Sequence, residues 1–149
     1  MSEHRATVTW NRTSEGFDYD GYNREHRWTF DEGIAVPASA APGFRGKPGN
    51  VDPEAALVAS LSSCHMLTFL AIAARKRLVV DAYEDQAVGF LEKNAEGRLA
   101  VTRVTLRPRI TFGGGIEPEA SVLEALHHKA HEACFIANSV RTTITVEPR

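Results

Sequence analysis

From Val51 to Leu78 the chain reads as one long helix, and the remainder has to fold around it. Asp52 is a good N-cap, Pro53 suits the first helical position, and Glu54 puts negative charge into the first turn. Ala and Leu then dominate and β-branched residues are few, which favours helix. Arg75, Lys76 and Arg77 supply the positive charge that a helix C-terminus attracts. Leu57, Leu61, Cys64, Leu67/Thr68 and Ala71/Ile72 recur every three or four residues, so Cys64 falls on the apolar stripe. The flanking positions are also mostly apolar or small, which predicts a helix enclosed nearly all round. A chain this short covers such a helix poorly alone, so a second copy is expected to share the burial.

The 149 residues suit one domain, residues 1–149, with a real core. Hydrophobic residues at 43 % and charged residues at 24 % are an ordinary globular mixture. A net charge of -2 without a basic block argues against nucleic acid as a partner. No basic-then-apolar leader is visible, and no uninterrupted apolar run reaches the roughly 18 residues of a membrane span. A cytoplasmic protein is expected, and there a standing disulfide is unusual. The two cysteines therefore read as buried thiols, a metal pair, or a couple that cycles.

The first 31 residues read as a three-strand antiparallel meander. Ala6, Val8 and Trp10 alternate with threonines, Phe17 and Tyr19 resume the alternation, and His26, Trp28 and Phe30 repeat it. Ile34-Ala35-Val36 can add a short extended piece. Residues 37–50 carry repeated proline and glycine and read as a long irregular connection, with Phe44-Arg45 in its middle. After the helix, residues 79–93 and 99–112 read as two strands joined by the Asn94-Ala95-Glu96-Gly97 turn, with Pro108 marking an edge or bulge. Gly113 to Gly115 is a flexible turn, since no phosphate-loop residues follow. A second helix from Glu117 to about Ala137 places Cys134 among its apolar positions, and a strand follows from Val140 to Val146. The order predicts an α+β fold.

Buried free cysteine is a common core residue, so pattern alone leaves both thiols a purely packing role. The chemical reading makes Cys64 a thiolate and Cys134 its resolving partner, which requires their Cα atoms to approach within roughly 7 Å. A reactive thiol also needs a cation or proton acceptor beside it. Arg45, Arg24 and His65 are the candidates. Arginine stays charged, and its fork can hold a thiolate and a carboxylate together. His65 lies about 100° round the helix from Cys64, so its ring need not face the sulfur. Glu54 is a candidate to orient such an arginine, yet ten residues of straight helix set it about 15 Å from Cys64. The two share a site if the helix breaks near Ser60, Ser62 and Ser63, or if a long arginine bridges them. His127 and His131, with Cys134 one turn on and Cys64, offer four N/S ligands for zinc, though without CxxC or HExxH spacing.

Asp52-Pro53-Glu54, Cys64 ten residues after the Glu, and Ala130-His131-Glu132-Ala133-Cys134 in a late helix together resemble the OsmC/Ohr family of osmotically inducible and organic-hydroperoxide-resistance proteins. The resemblance runs over essentially the whole chain. Asp52 stands where the family usually has Asn, Ser63 precedes Cys64, and Phe135 follows Cys134 where Pro is usual. The chain also lacks the usual Gly-Arg-x-Gly segment after the first strand. The resemblance implies an OsmC-like fold with antiparallel sheets wrapped around two central helices in an intertwined homodimer. It implies a cytoplasmic thiol peroxidase with no flavin, haem or metal cofactor. Cys64 would be the peroxidatic cysteine, Cys134 the resolving one, and Glu54 the holder of a catalytic arginine. Arg45 is favoured over Arg24 for that arginine, because its loop feeds directly into the helix. The substrate would be an organic hydroperoxide, and the reductant an external, lipoyl-type dithiol. The alternative is a non-enzymatic OsmC-like protein that binds a small ligand or senses redox state.

Overall fold

The computed structural model describes residues 1–149, which fall into two compact units, Met1–Ala56 and Leu57–Arg149. In the first, β1 (Ala6–Thr9), β2 (His26–Phe30) and β3 (Ala35–Ala38) form an antiparallel sheet in that order. The strands at 6–9 and 26–30 follow the alternation of the sequence. The third strand is the short piece at 35–38, and Phe17 to Tyr19 lies in turns instead. Asp18 is the reason: its Oδ1 accepts the N–H groups of Asp20 and Gly21 at 3.1 and 2.9 Å. That local turn takes the donors a strand would offer a neighbour. Asn23 fixes the same segment, accepting from the Thr13 and Ser14 N–H groups and donating to the Asn11 carbonyl. Within the connection at 37–50, a 3-10 turn forms at Pro42–Phe44. Gly46 passes so close to the Ala40 carbonyl that a Cβ there would sit 1.5 Å from its oxygen. This loop is closely folded on itself.

Helix α1 (Pro53–Arg75) starts where its capping signals fall, with Asp52 Oδ1 accepting the Ala55 N–H at 2.8 Å. It runs unbroken through Ser60 to Ser63. Leu61, His65, Phe69 and Ala73, one residue every four, are its buried stripe. Within one chain the enclosure is one-sided: Ala59, Ser63, Leu67 and Ala71 are open, Leu67 at 60 % exposure. One sheet layer and one helix can cover only one side of a cylinder. By length and composition α1 is also apolar enough to cross a membrane, despite its serines and His65, although its buried stripe lies in a protein core.

In the second unit, β4 (Val80–Asp85) pairs with β7 (Pro108–Phe112), and β5 (Val88–Lys93) with β6 (Leu99–Leu106), all antiparallel. β8 (Thr143–Val146) lies parallel to β6. The two long strands read from sequence are therefore each split, at Gln86-Ala87 and at Arg107. Asp85 marks the break. Its Oδ1 accepts the Arg107 N–H at 2.6 Å where a ladder carbonyl would, and its Oδ2 accepts the Ser62 hydroxyl of α1. Pro108 then has no N–H to offer. Gly89 of β5 lets α1 approach closely, since a Cβ there would meet Val58 Cγ2 at 2.4 Å. Helix α2 (Ala120–Ala133) ends about four residues short of its apolar pattern. Cys134 turns extended, and Asn138 Nδ2 donates to the Glu132 and Cys134 carbonyls at 2.9 Å each, which closes the helix end. Phe69 and Ala73 of α1 pack with Leu126 and Ala130 of α2 against β4 and β7. Leu61 packs with Val104 and Leu106 of β6.

Candidate functional site

Cys64 rides on α1 and Cys134 sits at the C-terminal end of α2, and both are free thiols. Their side chains are within hydrogen-bonding reach of each other. Cys134 is 1 % exposed, while Cys64 is half-buried. Burial pushes the Cys134 thiol up from its ordinary value, and its hydrogen bond to Cys64 pushes in the same direction. The backbone N–H groups of Ala137 and Ile136 work against this, Ala137 N lying 3.4 Å from the sulfur. Burial therefore favours the protonated thiol at Cys134. The turn clamped by Asn138 is what fixes this sulfur in place.

One residue along α1, His65 turns the other way, onto the buried stripe. Its ring meets that of His127 of α2 edge to edge, with centroids 5.4 Å apart and planes 10° from parallel. His65 Nε2 and His127 Nδ1 share one hydrogen bond at 3.1 Å. Whichever ring donates, the outer nitrogens, His65 Nδ1 and His127 Nε2, are buried without a protein partner, as are His131 Nδ1 and the Tyr83 hydroxyl. Desolvation holds both imidazoles down, to about 4 in each case. For His65 the neighbouring His127 and His131 add to the effect; for His127 the Asp85 carboxylate opposes it. The pair is neutral at ordinary pH. His127 thus meets His65, and no group of three or more His, Cys, Asp or Glu side chains converges as a metal cage. Sequence reasoning had not joined these two rings. The available signal was that His65 lies four residues from both Leu61 and Phe69, on the innermost line of α1.

The remaining candidates belong to the first unit and to the start of α1. Arg45, at a left-handed φ of 62°, pairs with Asp20 at 2.5 Å. Arg24 donates to the Tyr19 and Tyr22 carbonyls and lies 3.7 Å from the Tyr22 ring centroid, with no carboxylate partner. Glu54 takes part in no salt bridge, and the unbroken helix sets it about 15 Å along the axis from Cys64.

A family profile described as "OsmC-like protein" matches residues 46–149. The chain belongs to the OsmC/Ohr family. An OsmC-like protein of unknown function from Vibrio cholerae O1 superposes with a TM-score of 0.96 at 51 % identity, over 100 % of both chains. An organic hydroperoxide resistance protein OsmC from Legionella pneumophila gives 0.73 at 18 % identity, covering 99 % of this chain and 96 % of the other. The organic hydroperoxide resistance protein OhrB of Bacillus subtilis gives 0.67 at 20 %, covering 97 % and 98 %. A search among curated proteins returns no match. The α+β OsmC-like fold, two helices with antiparallel sheets, is thereby established, and membership supports a peroxidase-type redox role in general terms.

Proposed function

We propose that this OsmC-like protein is a cytoplasmic thiol peroxidase that reduces organic hydroperoxides. The observation that carries the reading is the meeting of two free thiols, one half-open and one buried, from the two helices of the second unit. The Cys64 thiolate attacks the distal oxygen of the hydroperoxide, the O–O bond breaks, and the alkoxide takes a proton to leave as alcohol. Cys64 becomes a sulfenic acid. The Cys134 sulfur then attacks it, a Cys64–Cys134 disulfide forms, and water leaves with the Cys134 proton. An external dithiol, lipoyl-type in this proposal, reduces the disulfide and is itself oxidised. A guanidinium, from Arg45 or Arg24, stabilises the thiolate and the departing oxygen, with Glu54 as its carboxylate holder. No cofactor enters the scheme. A homodimer in which a second copy covers the open side of α1 completes it, since Ala59, Ser63, Leu67 and Ala71 form a continuous small-residue and apolar line.

The test is turnover of cumene hydroperoxide with excess dithiol. Cys64→Ser should abolish consumption. Cys134→Ser should permit one oxidation of Cys64 and stall recycling by the dithiol. Fast consumption by C64S would overturn the scheme. Comparing R24K with R45K assigns the guanidinium, the serving residue being the one whose loss lowers kcat/KM by about tenfold or more. A redox sensor or ligand-binding protein would react about once per chain and stop.

A further inference from the structure

The unit Met1–Ala56 carries a second candidate site that uses neither cysteine. Trp10, Phe17 and Tyr22 gather with ring centroids 5.4 to 6.4 Å apart, in tilted and edge-on arrangements. The Asp18 turn and the Asn23 hydrogen bonds set this spacing. Trp10 is further held by its indole N–H, which donates to the Asn23 carbonyl at 2.7 Å. The rings open onto a cavity of about 480 Å³, a size that suits a small organic molecule.

The polar groups of the wall are nearly all engaged. His26 Nε2 accepts the Trp28 indole N–H at 3.0 Å, so its Nδ1 carries the proton and donates to the Arg24 carbonyl at 2.8 Å. Ser39 Oγ accepts the Lys47 N–H. Arg24 is the one charged side chain on the wall. Stacking on Tyr22 and two backbone carbonyls hold its guanidinium in place and leave three of its five N–H groups unaccounted for. Its neighbours Arg45 and Lys47 pair with Asp20 and Glu25, whereas no carboxylate pairs with Arg24. A half-buried, pre-positioned cation beside a ring-lined cavity complements a flat apolar acid.

We propose that this cavity binds a small aromatic carboxylate, its ring against Trp10, Phe17 and Tyr22 and its carboxylate on the free edge of Arg24. A neutral aromatic ligand leaves the guanidinium unmatched, and an aliphatic acid forgoes the ring contacts. The proposal uses neither thiol and shares with the peroxidase scheme only Arg24, one of its two candidate guanidiniums.

The test is calorimetric titration of the full-length protein at pH 7.5 with 2-naphthoate and with uncharged 2-naphthamide. Naphthoate should bind saturably, one per chain, about ten to a hundred times tighter than the amide, as a charge-assisted bond predicts. Arg24→Gln should erase that preference and leave the amide affinity in place. Phe17→Ala, at a side chain 71 % exposed, should weaken both ligands by a common factor. A Cys64→Ser/Cys134→Ser variant should bind naphthoate as the parent does. Equal affinity for acid and amide, absence of saturable naphthoate binding, or a preference that survives R24Q would overturn the proposal. Loss of peroxide turnover in R24Q with the naphthoate preference intact would likewise overturn it, and would assign Arg24 to the thiol instead.

Discussion

Between pH 6.5 and about 4, unfolded chains take up protons on His65 and His127 that the folded chain refuses. Both folded-state values lie below the unfolded value of 6.5. The stabilisation is therefore whole above pH 6.5 and drains away as the pH falls toward 4. One histidine titrating over that window removes about 3 kcal/mol, at about 1.4 kcal/mol per pH unit. Both titrating would remove about 7 kcal/mol, and because a second imidazolium beside the first is costly only in the folded chain, their repulsion holds folded-state protonation back and does not lower that figure. That is a large share of the roughly 5–15 kcal/mol by which domains are stable. The measurement is urea unfolding at pH 7.5, 6.5, 5.5 and 4.5, extrapolated to water. His127→Phe, which keeps a ring against Phe69 and His65, should start less stable and lose stability with about half the slope. Stability that stays flat to pH 4.5, or an unchanged slope in H127F, would refute the account. Surface carboxylates enter only at the foot of this window, near 4.5. Glu84 is held below its ordinary value by Arg149 and Glu92 by Thr102, so their contributions are whole well above 4.5 and are lost as the pH falls below it.

Removing the α1 cap with Asp52→Ala should cost about 1 kcal/mol in urea unfolding, since it orphans the Ala55 N–H. Gly89→Ala should destabilise by about 1–3 kcal/mol through the clash with Val58, and adding Val58→Ala should recover part of the loss. Asp85→Ala should lower stability by about 2–3 kcal/mol by stranding the Arg107 N–H and the Ser62 hydroxyl. Asp85→Asn keeps one acceptor and should cost less, as a smaller shift in Tm.

Local chemistry made α1 legible: Asp52, Pro53 and the terminal arginine mark its ends within a residue or two. The Asn94–Gly97 turn was equally plain, since Asn94 Oδ1 accepts from Glu96 and Arg98 N–H groups just as a turn residue should. Periodicity failed where a single side chain overrode it. Phe17 and Tyr19 alternate like a strand, but Asp18 between them takes the backbone donors. Residues 79–93 and 99–112 read as continuous because nothing in the pattern announces that Asp85 will replace a ladder carbonyl. The apolar run past Ala133 continues the helical stripe, yet Asn138 folds back to end it. The apolar pattern singled out both cysteines as candidates, although the line of α1 that is buried runs through Leu61, His65, Phe69 and Ala73 and leaves Cys64 beside it. The His65–His127 pair needed the relative height of two helices, which no local spacing encodes.

The unequal exposure of the two sulfurs sets a direction for any electron donor. Were they joined, an incoming thiolate would find the Cys134 sulfur sealed behind Ala137 and the Asn138 clamp, and only the Cys64 sulfur within reach. The mixed disulfide would then always form on α1, and Cys134 would always be the leaving group. A reductant acting on such a disulfide would have to fit the flank of the long helix, and its shape would owe nothing to the end of the short one.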